Sequence, residues 1–118
     1  MRLVTMLFFG AMLGFAGSWS GSLVDSNCYA SEERNANKNT TTVDRDMSAV
    51  VRYCSPNAHM RDFAIVLPDW DGHKLDSAGN AKAAELVRNT RRRSVFEVTL
   101  TGDLTKDSIA VTSISLNP

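Results

Sequence analysis

VFEVTLTGDLTKDSIAVTSISL, residues 95–116, is the stretch on which the fold turns. Phe96, Val98 and Leu100 share one parity with polar residues between them, the period of a strand with one buried face. Thr101-Gly102-Asp103 supplies turn residues, and Ile109 to Leu116 alternates again, so the two runs read as a hairpin. In the second run the apolar parity slips from Ile109 and Val111 to Ile114 and Leu116. An extra residue, a bulge near Thr112 or Ser113, accounts for the slip.

Upstream, Ser77 to Thr90 switches to helix formers with Ala83, Leu86 and Val87 on one side, predicting a short helix capped by Asn80 or Ser77. Phe63 to Leu67 is a short apolar run bounded by Pro68, typical of a buried strand. Asp69 to Gly72 then turns the chain, and His73 to Asp76 returns as a second strand. Val43, Met47, Val50, Val51 and Cys54 form a helical stripe, with Thr42 or Asp44 as caps and Pro56 as the stop. Ala30 to Thr42 lacks any large apolar residue and reads as a solvated loop carrying an Asn39-Thr40-Thr41 sequon. Trp19 to Cys28 reads as the first strand, with Gly21 at a bend or a close backbone approach. The order is strand, helix or loop, strand, strand, helix, strand, strand. It defines a β-rich α+β domain over residues 19–118, a small five-stranded barrel like the oligonucleotide/oligosaccharide-binding (OB) fold or a curved sheet, with one or two short helices.

The N-terminus reads as an address. Arg2 precedes a continuous apolar run from Leu3 to Phe15, and Ala16-Gly17-Ser18 offers the small residues that a signal peptidase requires, so residues 1–18 are expected to be a cleaved secretory signal. A helix of about 13 residues is about 20 Å long, short of the roughly 30 Å hydrocarbon core, so no stable membrane span is expected after cleavage. The mature chain is then periplasmic or extracellular. There, Cys28 and Cys54, the only cysteines, are expected to form a disulfide that staples a domain with a small core.

The chain has 118 residues and equal numbers of acidic and basic side chains, 13 of each. That length holds one core and excludes multidomain enzymes, and the cancelled charge argues against nucleic acid as a partner. The sequence also offers no catalytic constellation. Gly17-Ser18-Trp19-Ser20-Gly21 carries Trp19 where a nucleophile elbow needs its serine, and two paired cysteines leave no thiolate nucleophile. Cys28, Cys54, His59 and His73 lack the close couples of a zinc site. Asp69, Asp71 and Asp76 lack the glycine and glutamate of a calcium loop. No cofactor is implied.

The one notable charge run is Arg91-Arg92-Arg93, preceded by Arg88, with Lys74 and Lys82 available nearby. It reads as a solvated segment after a helix, where cations suit the C-terminal dipole. Alternatively, Arg91, Arg92, Arg93 and Lys74 form an anion-binding patch to which Trp70 adds a stacking surface, for an acidic glycan or another envelope component. A non-enzymatic binding or envelope-associated module is the leading expectation. A small secreted hydrolase or hydrolase inhibitor, and a periplasmic metal-handling or stress protein, are the alternatives.

Trp19-Ser20-Gly21-Ser22-Leu23-Val24-Asp25-Ser26-Asn27-Cys28 follows the leader directly and resembles the start of a family of small exported bacterial proteins of unassigned activity, with the pattern W-x-G-x-[LIV]-x-D-x-x-C. The similarity continues through the second cysteine, Phe63–Leu67, Lys74–Asp76 and a closing V-x-V-x-G element. Here that element is Val98 to Gly102, with Leu100 at the second valine. The resemblance implies a bacterial envelope or secreted protein with a small β-rich domain, and it brings no catalytic residues.

Overall fold

The computed structural model describes residues 16–38, 47–91 and 93–118. The leader up to residue 15, the sequon, the start of the predicted Val43 helix and Arg92 lie outside the described residues. Along the chain run β1 (Ala16–Asp25), α1 (Ser26–Lys38), α2 (Met47–Tyr53), β2 (Phe63–Val66), β3 (Gly72–Lys74), α3 (Ser77–Arg88), β4 (Phe96–Leu104) and β5 (Ile109–Leu116). The strands form one antiparallel sheet in the order β3-β2-β1-β4-β5, a β-rich α+β fold with α3 between the third and fourth strands.

The sheet does not close into a barrel. Its two edges meet at a single parallel bridge, Leu75 to Ile109, which requires the sheet to curl. Closure stops there because the chain turns away into α3 at once. Asp76 caps that helix, its carboxylate accepting from the Gly79 N–H at 2.8 Å and the Val111 N–H at 3.2 Å, while its own N–H donates to the Ile109 carbonyl at 3.0 Å. Asp76 is therefore the cap, in place of the predicted Asn80 or Ser77. Asn80 instead accepts from the Phe63 N–H at 2.9 Å and ties α3 to the entry of β2.

Both faces of the centre of the sheet are covered. Leu23, Phe63, Ile65, Leu75, Phe96, Val98, Leu100, Ile109 and Val111 join Ala83 and Val87 of α3 in one core. On the opposite face, Val24, Ala64 and Val66 pack against Tyr29 of α1, Val50 and Val51 of α2, and Cys54. All four residues of β2 are buried, which is why Phe63–Val66 is continuously apolar rather than alternating. Gly21 lies where β1 passes β2, and a Cβ there would overlap the Val66 carbonyl, so the close approach expected of this glycine is present.

The terminal hairpin differs from its predicted form in one respect. β4 continues through Thr101, Gly102 and Asp103 to Leu104, and the chain turns at Thr105–Ser108, where the Thr105 N–H donates to the Ser108 carbonyl at 2.8 Å. Gly102 is a ladder residue, paired with Gly17 on one side and Val111 on the other. A Cβ on it would overlap the Ala110 carbonyl, so the glycine serves close packing rather than turning. The predicted bulge is present. Thr101 faces Ser113 and Gly102 faces Val111, which leaves Thr112 as the extra residue.

The N-terminal elements shift as well. β1 starts at Ala16, inside the expected leader, and ends at Asp25, so Ser26, Asn27 and Cys28 open α1 rather than close a strand. The Asp25 carboxylate accepts from the Asn27 N–H at 3.2 Å and starts the helix. Ala30 to Lys38 is accordingly helix, not loop. Its composition of Ala, Glu and Arg favours helix, and burial of Tyr29 anchors it without an apolar stripe. Among the described residues there are thus three helices. The Cys28–Cys54 disulfide is formed, with a Cα–Cα distance of 5.6 Å, and joins α1 to the end of α2.

Candidate functional site

The segment between α2 and β2 is folded against α3. Asn57 organises it, its side chain accepting from the His59 N–H at 2.8 Å and its carbonyl from the Met60 N–H at 3.2 Å. The segment leaves through Asp62, whose carbonyl accepts from the Ser26 N–H, and through the Phe63 N–H held by Asn80. Between it and α3 lies an open groove of about 520 Å³.

One wall of the groove is a face of α3. Ser77, Ala81, Ala84 and Arg88 stand at helical spacings of four, three and four, so they line up over about 16 Å of helix, with Asn80 beside them. The other wall carries His59, Met60 and Arg61. Met60 and Ala84 pack against the core and give the groove an apolar floor. Asn80 spends its side-chain oxygen on Phe63, which leaves the amide NH2 as a donor for this side of the helix. No carboxylate lines the groove, and neither Arg61 nor Arg88 has a carboxylate partner among the described residues. The local chemistry is donor-rich and cationic.

Of the binding candidates read from sequence, those among the described residues, Trp70, Lys74, Arg91 and Arg93, do not line this groove. Trp70 occupies the β2–β3 turn, 42% exposed and at a φ of 71°, a left-handed conformation uncommon for a bulky residue. Its carbonyl accepts from the Tyr29 hydroxyl at 2.6 Å. The surroundings of this turn are acidic. Burial above all, then the charges of Glu33, Asp71 and Asp69, push the Tyr29 phenol up to about 12. His73 pairs with Asp71 at 3.3 Å. Lys74 is exposed on β3. Arg91 and Arg93 are exposed in the α3–β4 connection, where the Arg93 carbonyl accepts from the Ser55 hydroxyl at 3.5 Å. That contact ties the Arg93 backbone to the start of the α2–β2 segment. No contact among the described residues joins Arg91 or Arg93 to Trp70.

His59 and Arg61 were not legible as binding residues. In sequence His59 stands out only as one of four residues that lack zinc-site spacing, and Arg61 sits in a polar connection whose composition matches any solvated loop. Their meaning comes from the fold that sets them opposite Arg88. Both cysteine sulfurs are consumed by the disulfide, and the described residues contain no group of three or more potential metal ligands. Comparison with family models, with curated proteins and with solved structures found no match.

Proposed function

We propose that the chain is an exported binding module, stapled by Cys28–Cys54, that holds an anionic ligand of the acidic-glycan or envelope-polymer class in the groove between the α2–β2 segment and α3. One observation carries the reading. Arg61 and Arg88, unpaired among the described residues, line the same groove with His59 and no carboxylate. A guanidinium presents a planar fork of donors that matches carboxylate, sulfate or phosphate oxygens, and among the described residues no carboxylate competes for it in this groove. The apolar floor of Met60 and Ala84 suits the carbon face of a sugar ring. The disulfide is compatible with export, as is the fact that no helix among the described residues is long and apolar enough to cross a membrane. The likeness of Trp19–Cys28 to the family of exported bacterial proteins supports the same compartment.

The test is titration calorimetry of the purified domain against an acidic polysaccharide and its neutral counterpart, at low and high salt. Binding to the acidic polymer alone, weakened by salt and reduced at least about tenfold in Arg61→Ala with Arg88→Ala, is the expected result. Equal binding of both polymers, or an unaffected double variant, would sink the reading.

A further inference from the structure

β1 is the central strand of the sheet, and it begins inside the stretch read as a leader. A signal peptidase needs small residues at the bond it cuts and two residues before it, and that pattern occurs twice after the apolar run. Gly14-Phe15-Ala16 allows a cut after Ala16, and Ala16-Gly17-Ser18 allows a cut after Ser18. Local sequence does not separate the two. Their consequences for the sheet differ.

Ala16 to Leu23 pair one to one with Asp103 to Phe96, eight pairs in all. A cut after Ala16 removes only the end pair. A cut after Ser18 removes three and leaves Thr101, Gly102 and Asp103 without a neighbour on the β1 side, an open edge next to the centre of the sheet. It also removes Gly17, against which the Trp19 indole lies, since a Cβ on Gly17 would stand 3.2 Å from the ring. Trp19 packs on the α3-side core and is only partly buried, so loss of Gly17 exposes more of its ring.

Each cut also creates an α-ammonium. On Trp19 that charge stands opposite Leu100, which is fully buried, and the flanking residues of β4 are Thr99 and Thr101, neither of which is a carboxylate. On Gly17 it stands opposite Gly102, one residue from Asp103. Asp103 is exposed and has no cationic partner among the described residues, so the new charge arrives beside an opposite one and in water.

We infer that the chain is cut between Ala16 and Gly17, so that the mature protein begins at Gly17 of β1. The inference rests on the exported reading given above. In the step, water hydrolyses the Ala16–Gly17 amide at the active site of the host's signal peptidase. The C–N bond breaks, the water oxygen joins the Ala16 carbonyl carbon and leaves with residues 1–16 as a carboxylate, and both water protons pass to the Gly17 nitrogen, which becomes the ammonium. The mature chain keeps every pair of β1 except Ala16 with Asp103.

Intact-mass measurement of the whole chain, expressed in a bacterium with its own N-terminus, tests this. The expected product has lost residues 1–16. Ser18→Leu, at an exposed position, puts a large residue where the alternative cut needs a small one and is expected to leave that product's start unchanged, whereas Ala16→Leu leaves the leader attached. A cleaved product beginning at Trp19 or at any other residue, or a Ser18→Leu chain left uncut, would overturn the inference and leave the exported reading standing. A natural chain that keeps residues 1–16 would overturn both.

Discussion

The sheet face under α3 and the face under α1 and α2 are held by different means. Under α3, eight strand residues, Leu75 and two helix residues form one contiguous buried cluster, and α3 is fastened at its first turn by Asp76 and Asn80. Under α1 and α2 the sheet contributes only Val24, Ala64 and Val66, and α1 itself is strongly polar. That cover depends on two anchors, the Cys28–Cys54 bridge and Tyr29, whose ring is buried and whose hydroxyl reaches the Trp70 carbonyl. Where a helix has an apolar stripe, burial suffices to dock it. Where it lacks one, the chain substitutes a covalent tie and a single aromatic hook, as suits a domain with a small core.

The comparison breaks most visibly in the α3-side core. Phe96→Ala removes a ring that is 1% exposed and is expected to cost about 3–5 kcal/mol, a denaturant midpoint shift accompanied by simultaneous loss of both faces. A loss confined to α3 would mean that the two layers do not share one cooperative core.

Replacing Cys28 and Cys54 together by Ala acts on the other face. Opening a loop of sequence separation 26 costs about 3.5 kcal/mol on the chain-entropy model. Hydrogen exchange should show α1 and α2 losing protection first, with β4, β5 and α3 retaining theirs. Uniform loss across the sheet would instead make the disulfide a support of the whole fold.

The smallest effect concerns the aromatic hook. The Tyr29 phenol, pushed up to about 12, is held neutral in the folded state, whereas the unfolded chain releases its proton near the ordinary value of about 10. The raised value means that this contribution to stability is fully present below about pH 10, declines above it and is lost as pH rises through about 12. Absorbance titration of a Tyr53→Phe variant isolates Tyr29, and phenolate formation near 12 is the expected reading. Ionisation in the usual tyrosine range would show α1 undocked from the hairpin.

Features with a local signal were legible residue by residue. The slip of parity between Val111 and Ile114 located the bulge at Thr112, because a period of two is interrupted by one extra residue wherever it occurs. The strand read over Phe63–Leu67, the α3 helix and the turn read over Asp69–Gly72 were equally plain, although β2 ends at Val66 and Gly72 already belongs to β3. Thr101-Gly102-Asp103 misled because a glycine between polar residues has the same composition in a turn and in a tight ladder. Only pairing with Gly17 and Val111 distinguishes the two. Ala30–Lys38 misled for the complementary reason, since a helix anchored at one end carries no stripe.

Sequence alone determined the alternating strands, the bulge, the all-apolar central strand and the presence of α3, because side-chain period and turn chemistry act over a few residues. It also supplied the one pair of cysteines available for a bridge. The tertiary structure decided the strand order, the single Leu75–Ile109 bridge in place of a closed barrel, and Asp76 as the cap. It also decided that His59 and Arg61 face Arg88 across a groove while Trp70 sits among carboxylates. Each of these rests on residues far apart in the chain, and their proximity depends on how the buried faces pack together rather than on any local pattern.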